Sequence, residues 1–187
     1  MINKLFENLP KDIDALLITS DVNRIYLSGF DASDDMLFIT RDEAYFLADS
    51  RYIEEVKNKV KHMTPLLVKN FYDTLRKLIE KHNVKRIGFE DRDLTVFRFE
   101  RLKKELKVEF VPIGDLILNL RKIKSEEEIK YIKKAQTIAD KTFEHLLKYM
   151  RPGRTEREVM LELKFYSMKL GSEGDSFEPI VISGKNT

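Results

Sequence analysis

Met36-Leu-Phe-Ile-Thr40, Arg41-Asp-Glu43, Ala44-Tyr-Phe-Leu-Ala48 is the stretch that decides the fold. Two apolar runs flank a short polar connection, and that pattern reads as a β-hairpin. Upstream, Asp14-Ala-Leu-Leu-Ile-Thr19 is a compact apolar run, read as a buried strand. Residues 2–9 read as a short helix before Pro10. Asn23-Arg-Ile-Tyr-Leu-Ser-Gly29 ends in turn punctuation, and Asp31-Ala-Ser-Asp-Asp35 is a polar loop. Downstream, a helix runs from Asp49-Ser50 to Val60, with Ser50 as its cap at about 1 kcal/mol. Strands are expected at 64–68, 86–89 and 108–111, separated by helices over 71–82 and 95–106. Strands alternating with helices after a hairpin predict an α/β domain: a mixed β-sheet flanked by helices.

The pattern changes near Leu120. Ser125 and Glu128 form a capping box that opens a long helix. Ile129, Ile132, Ala135, Ala139, Phe143, Leu146 and Met150 step along it by three or four and predict one apolar stripe. Arg151-Pro-Gly153 breaks the helix. Thr155 and Glu158 make a second capping box, and Gly171 ends the helix it opens. The final run to Thr187 reads as an extended segment lacking a partner strand.

Composition narrows the function class. The chain has 187 residues, 42% hydrophobic and 35% charged, as expected of a globular protein. A net charge of +2 leaves no electrostatic footprint for nucleic acid. No apolar run approaches the ~20 residues needed to span a bilayer. Cysteine is absent, which removes disulfides, thiolate metal sites and thiol nucleophiles and fits a cytoplasmic location. Gly184-Lys185 lacks the first glycine and the trailing Ser or Thr of a P-loop. Gly174 to Glu178 lacks the second glycine of a nucleophile elbow.

Four fragments in order carry a family resemblance. Asn23-Arg-Ile-Tyr-Leu-Ser-Gly-Phe30 with Ser33, then Asp49-Ser-Arg-Tyr52, form the first block. Leu120-Arg-Lys-Ile-Lys-Ser-Glu-Glu-Glu-Ile129, then Met150-Arg-Pro-Gly153 with Thr155-Glu156, follow. The last is Ser176-Phe-Glu-Pro-Ile-Val-Ile-Ser-Gly-Lys-Asn186. Together they resemble the prolidase, Xaa-Pro aminopeptidase and creatinase family; Ile25 is one residue more than its first motif carries. The resemblance implies a creatinase-type N-terminal domain, ribonuclease H-like, over residues 1–120. It implies two helices of an incomplete "pita-bread" catalytic domain over residues 121–187. It also implies a full-length enzyme with two divalent metal ions, manganese or cobalt, whose metal-bound hydroxide attacks the peptide bond preceding proline. In the family's order the ligands follow this sequence. No metal ligand, catalytic residue or cofactor is therefore assigned to this chain, and it is expected to be inactive alone.

Candidate site residues are few. The resemblance places the loop carrying Asp31, Asp34 and Asp35 toward a partner's active site, and Phe177 and Ile180 near the substrate pocket. The plainer reading makes the three carboxylates a solvated turn bonding its own backbone. Arg51 and Tyr52 read as an ion pair and a buried ring. His62, His82 and His145 lack metal-ligand spacing. The expected partners are a second copy of the chain and, for the full-length enzyme, proline-containing peptides. The alternative is a non-catalytic dimerisation or peptide-binding module of the same family.

Overall fold

The computed structural model describes residues 2–7, 9–33 and 35–187 and divides into two compact units, Met1–Ile123 and Lys124–Thr187. The first is mixed α/β. Its strands are β1 (Ala15–Ile18), β2 (Met36–Thr40), β3 (Ala44–Ala48), β4 (Thr64–Leu67), β5 (Arg86–Phe89) and β6 (Glu109–Pro112). They form one sheet in the order β4-β3-β2-β1-β5-β6. β2 runs antiparallel to β1 and β3, with Ala15 opposite Thr40 and Met36 opposite Leu47. The β1–β5, β3–β4 and β5–β6 pairs are parallel. Both hairpin strands therefore lie inside the sheet, and neither is an edge strand.

The strands are apolar on both faces because helices cover both. Leu16, Ile18, Leu37, Ile39, Phe46 and Ala48 face one core. Side chains of α1 (Ile2–Glu7), α2 (Asp21–Ser28), α3 (Ile53–Lys59) and α6 (Leu116–Lys122) complete it. Leu17, Phe38, Tyr45, Leu47 and Ile87 face the other, beneath α4 (Phe71–Lys81) and α5 (Val96–Glu105). The strict alternation along each strand is the period of two of an extended chain. Gly88 permits close packing in β5: a Cβ there would lie 2.6 Å from Leu16 Cδ2 and 2.7 Å from Ile113 Cγ2.

Two elements go beyond the sequence reading, and one expectation needs correction. Residues 23–28 belong to a helix, α2, closed by Gly29 in the left-handed conformation at φ 72°. The helix after β3 starts at Ile53, and Ser50 does not cap it. The Asp49 carboxylate instead accepts the Arg51 N–H at 2.7 Å and so fixes a turn first. A seven-residue helix, α6, lies where the sequence pattern only changed. Its Ile117 is buried in the first unit's core and Leu120 packs against that core.

The second unit contains α7 (Glu126–Tyr149) and α8 (Glu156–Lys169), each opened by a complete capping box, Ser125 with Glu128 and Thr155 with Glu158. Gly171, at φ 97°, follows α8. The expected stripe along α7 is not the buried one. Leu146 is buried, but Ile132 is 54% and Phe143 60% exposed. The row that packs is Thr142, His145, Leu146 and Tyr149, where His145 stacks on Tyr166 of α8 at 3.8 Å and contacts Glu162 at 2.6 Å. A polar-aromatic helix contact won over the purely apolar row. The final run forms no strand. Glu156 holds it by accepting the Ser183 N–H at 2.7 Å and Asn186 Nδ2 at 3.0 Å, and Gly184–Asn186 is one 3-10 turn.

Candidate functional site

Every strand of the first unit except β2 ends at the same edge of the sheet, and β2 begins there. Ligand crevices in open α/β sheets lie outside such carboxyl ends. Here that edge carries most of the first unit's buried polar residues.

Glu90 follows β5 and is 5% exposed. Its Oε2 accepts the N–H groups of Thr19 at 2.6 Å and Ser20 at 2.8 Å. Its Oε1 accepts Asn23 Nδ2 at 2.7 Å, while Asn23 Oδ1 accepts Arg121 Nη1 at 3.0 Å. One carboxylate thus gathers the two backbone donors just before α2 and the Asn23 side chain of its first turn; Ser20 makes no side-chain cap.

Arg24, 1% exposed, donates to the backbone carbonyls of Ala32 and, at 2.7 Å, of Asp35. It also pairs with Asp21 at 3.0 Å. Tyr26 donates to the Leu120 carbonyl, Ser28 caps its own helix turn at the Arg24 carbonyl, and Phe30 packs edge-on against Phe46. Asn23 to Phe30 is therefore a structural clamp that shapes the following loop.

That loop carries the three aspartates singled out above. Asp31 is exposed, and Asp34 lies outside the described residues. Asp35 is not a solvated turn residue: it is 3% exposed. Its Oδ1 accepts the Asp49 N–H at 3.3 Å, and its Oδ2 has no hydrogen-bond partner among the described residues. Burial pushes its carboxyl up to about 6, against the lowering effects of the Asp49 N–H and the Arg24 guanidinium. Asp49 itself is held below the usual range by hydrogen bonds from the Arg51 side chain and N–H. The ion pair read for Arg51 is the 2.6 Å contact with Asp49, and Tyr52 is half-buried.

Two cavities open at this edge. One of about 400 Å³ is lined by Asp35 with Met36, Leu47, Phe71, Tyr72 and Phe97, among others. A more polar one of about 540 Å³ shares Thr19, Asp35, Met36 and Arg98 with it. Glu90 and Arg98 escaped the sequence reading, although both left a signal. Glu90 is a carboxylate directly after an apolar strand. Arg98 is a cation in the first turn of α5, where the helix dipole disfavours it and no acidic residue offsets it.

Phe177 and Ile180 belong to the other compact unit and are 75% and 80% exposed. The three histidines are engaged separately: His62 with the Leu27 carbonyl, His82 with the Tyr45 hydroxyl and His145 with Glu162. Among the described residues no three His, Asp or Glu side chains converge as a metal centre requires. These donors do not fit a two-metal site.

The fold and clamp define a class, and sequence comparison agrees. Residues 8–123 match the creatinase/prolidase N-terminal domain, and residues 130–187 match metallopeptidase family M24. The chain belongs to the prolidase, Xaa-Pro aminopeptidase and creatinase family. It is 38% identical to YqhT, an uncharacterized peptidase of Bacillus subtilis, over 92% of this chain and 49% of that protein. It is 32% identical to the Xaa-Pro dipeptidase of Pyrococcus horikoshii, over 98% of this chain and 52% of that protein. Among solved structures, the Xaa-Pro dipeptidase from Bacillus anthracis superposes with a TM-score of 0.89 at 32% identity, covering 94% of this chain and 50% of that one. The chain thus spans about half the length of these relatives.

Proposed function

We propose that these 187 residues serve as the non-catalytic portion of a metal-dependent Xaa-Pro peptidase, of the prolidase or aminopeptidase P type, that cleaves the bond preceding proline. The match of residues 8–123 to the creatinase/prolidase N-terminal domain carries this reading. The half-length similarity to Xaa-Pro dipeptidases supports it. Residues 1–120 form the creatinase-type domain and residues 121–187 belong to the catalytic domain. The two manganese or cobalt ions of such an enzyme are held by residues other than those described here.

In the assembled enzyme the loop of Asp31, Asp34 and Asp35 faces the substrate region of a second copy, while Phe177 and Ile180 approach the substrate within their own domain. The exposed apolar side chains of α7 and α8 suit a homodimer. The absence of cysteine supports a cytoplasmic enzyme, and no described helix is long and apolar enough to cross a membrane.

The test is to express the reading frame that carries this chain and assay Leu-Pro against Leu-Leu with manganese or cobalt. Metal-dependent hydrolysis selective for Leu-Pro supports the proposal. Equal hydrolysis of both, or of neither, overturns it.

A further inference from the structure

The edge cavity has a composition that the peptidase reading does not explain. Its wall is apolar and aromatic, from Met36, Leu47, Phe71, Tyr72 and Phe97. Into the same space come two carboxylates, buried Asp35 and half-buried Asp49, and two exposed guanidiniums, Arg98 and Arg101; Asp49 is paired with Arg51 and Arg101 lies over the Tyr72 ring, which leaves Asp35 and Arg98. Among the described residues Arg98 has no carboxylate partner, and Asp35 Oδ2 has no donor. Both residues also line the adjoining polar cavity. A buried acceptor without a donor is costly and calls for a ligand group that supplies one. Phe97, 75% exposed at the rim, is apolar surface that a seated ligand would cover.

We propose that this cavity binds a small apolar zwitterion, a free amino acid or dipeptide, with its ammonium on Asp35, its carboxylate on Arg98 and its side chain among Met36, Leu47 and Phe71. A volume of about 400 Å³ lies within the range of small-molecule sites. The ammonium supplies the hydrogen bonds that Asp35 Oδ2 lacks. The carboxylate meets Arg98 near the N-terminal turn of α5, where an anion is favoured.

Asp35 must be ionised to hold the ammonium. Burial raises its carboxyl to about 6, so affinity is full above that value and falls as pH drops through it. The charged neighbours acting on Asp35 are Arg24 of α2 and Asp49 and Arg51 after β3; Arg98 and Arg101 of α5 and Asp21 and Asp93 share the cavity walls.

This inference does not rest on the peptidase reading, because binding is read without turnover. Its failure would leave that reading untouched. The experiment is an amide NMR titration of the full chain with leucine, N-acetyl-leucine and leucinamide at pH 7.5. Leucine is expected to give saturable shifts around Met36, Phe71 and Arg98, with a dissociation constant of roughly millimolar or below. N-acetylation or amidation each weakens binding by about tenfold or more. Arg98→Ala, a change at an exposed position, lowers leucine to the leucinamide level. Absence of saturation with leucine, equal binding of the three ligands, or an unaltered leucine preference in Arg98→Ala overturns the proposal.

Discussion

Asn23 Nδ2 donates to Glu90 Oε1 at 2.7 Å across a separation of 67 residues in sequence. This bond joins the start of α2 to the end of β5, and the same carboxylate accepts the Thr19 and Ser20 N–H groups. Asn23 thereby ties the first turn of its own helix to the end of a distant strand.

Replacing Glu90 with Ala strands at least three buried or half-buried donors. The expected loss is on the order of 3 kcal/mol in chemical denaturation of the first unit. Asn23→Ala costs about 1–2 kcal/mol, and the double variant costs clearly less than the sum, because the two side chains are one network. Additive effects would show that the bond contributes nothing in solution.

Asp35 gives stability a pH dependence of unusual sign for a carboxylate. Its carboxyl rises from 3.8 to about 6 on folding, so the folded state binds the proton more tightly. The protonated form carries no penalty below the unfolded value. The penalty enters as pH climbs from about 4 to 6 and is complete above the folded value. Asp35→Asn should therefore be more stable than the parent at pH 8, by on the order of 1–2 kcal/mol after allowance for solvent screening. The gap should close by pH 4. Urea midpoints across that range check it, and a gap independent of pH would refute it.

The exposed side chains of the second unit lead to the third expectation. Ile132, Phe143, Leu147, Phe165 and Met168 are each more than half exposed, an apolar surface that is uncommon on a solitary soluble chain. Light scattering of the purified chain should give a dimer or larger species. Deletion of residues 125–187 should return a monomer. A monomeric full chain at tens of micromolar would remove the second copy from the account.

The legible parts of this molecule were the locally determined ones. The capping boxes at Ser125 and Thr155 were readable because donor and acceptor lie three residues apart. The hairpin was readable because its two runs are apolar and adjacent. α2 was not, since the carboxylate that anchors the residues leading into it is Glu90, which no local pattern connects to Ser20. The burial of Asp35 was hidden for the same reason. Asp31 to Asp35 looks like a solvated turn until Arg24, eight or more residues earlier, draws its carbonyls inward. The stripe of α7 misled because the row facing α8 contains Thr142 and His145, which an apolar count passes over.

The central claim is that this chain supplies structure and substrate surroundings to an Xaa-Pro peptidase without performing the chemistry. Its most direct test combines manganese calorimetry with a proline-release assay on the purified 187-residue chain. The account predicts no micromolar metal binding and no release of proline from Leu-Pro. Micromolar manganese affinity, or turnover that tracks the chain through successive purification steps, would contradict it.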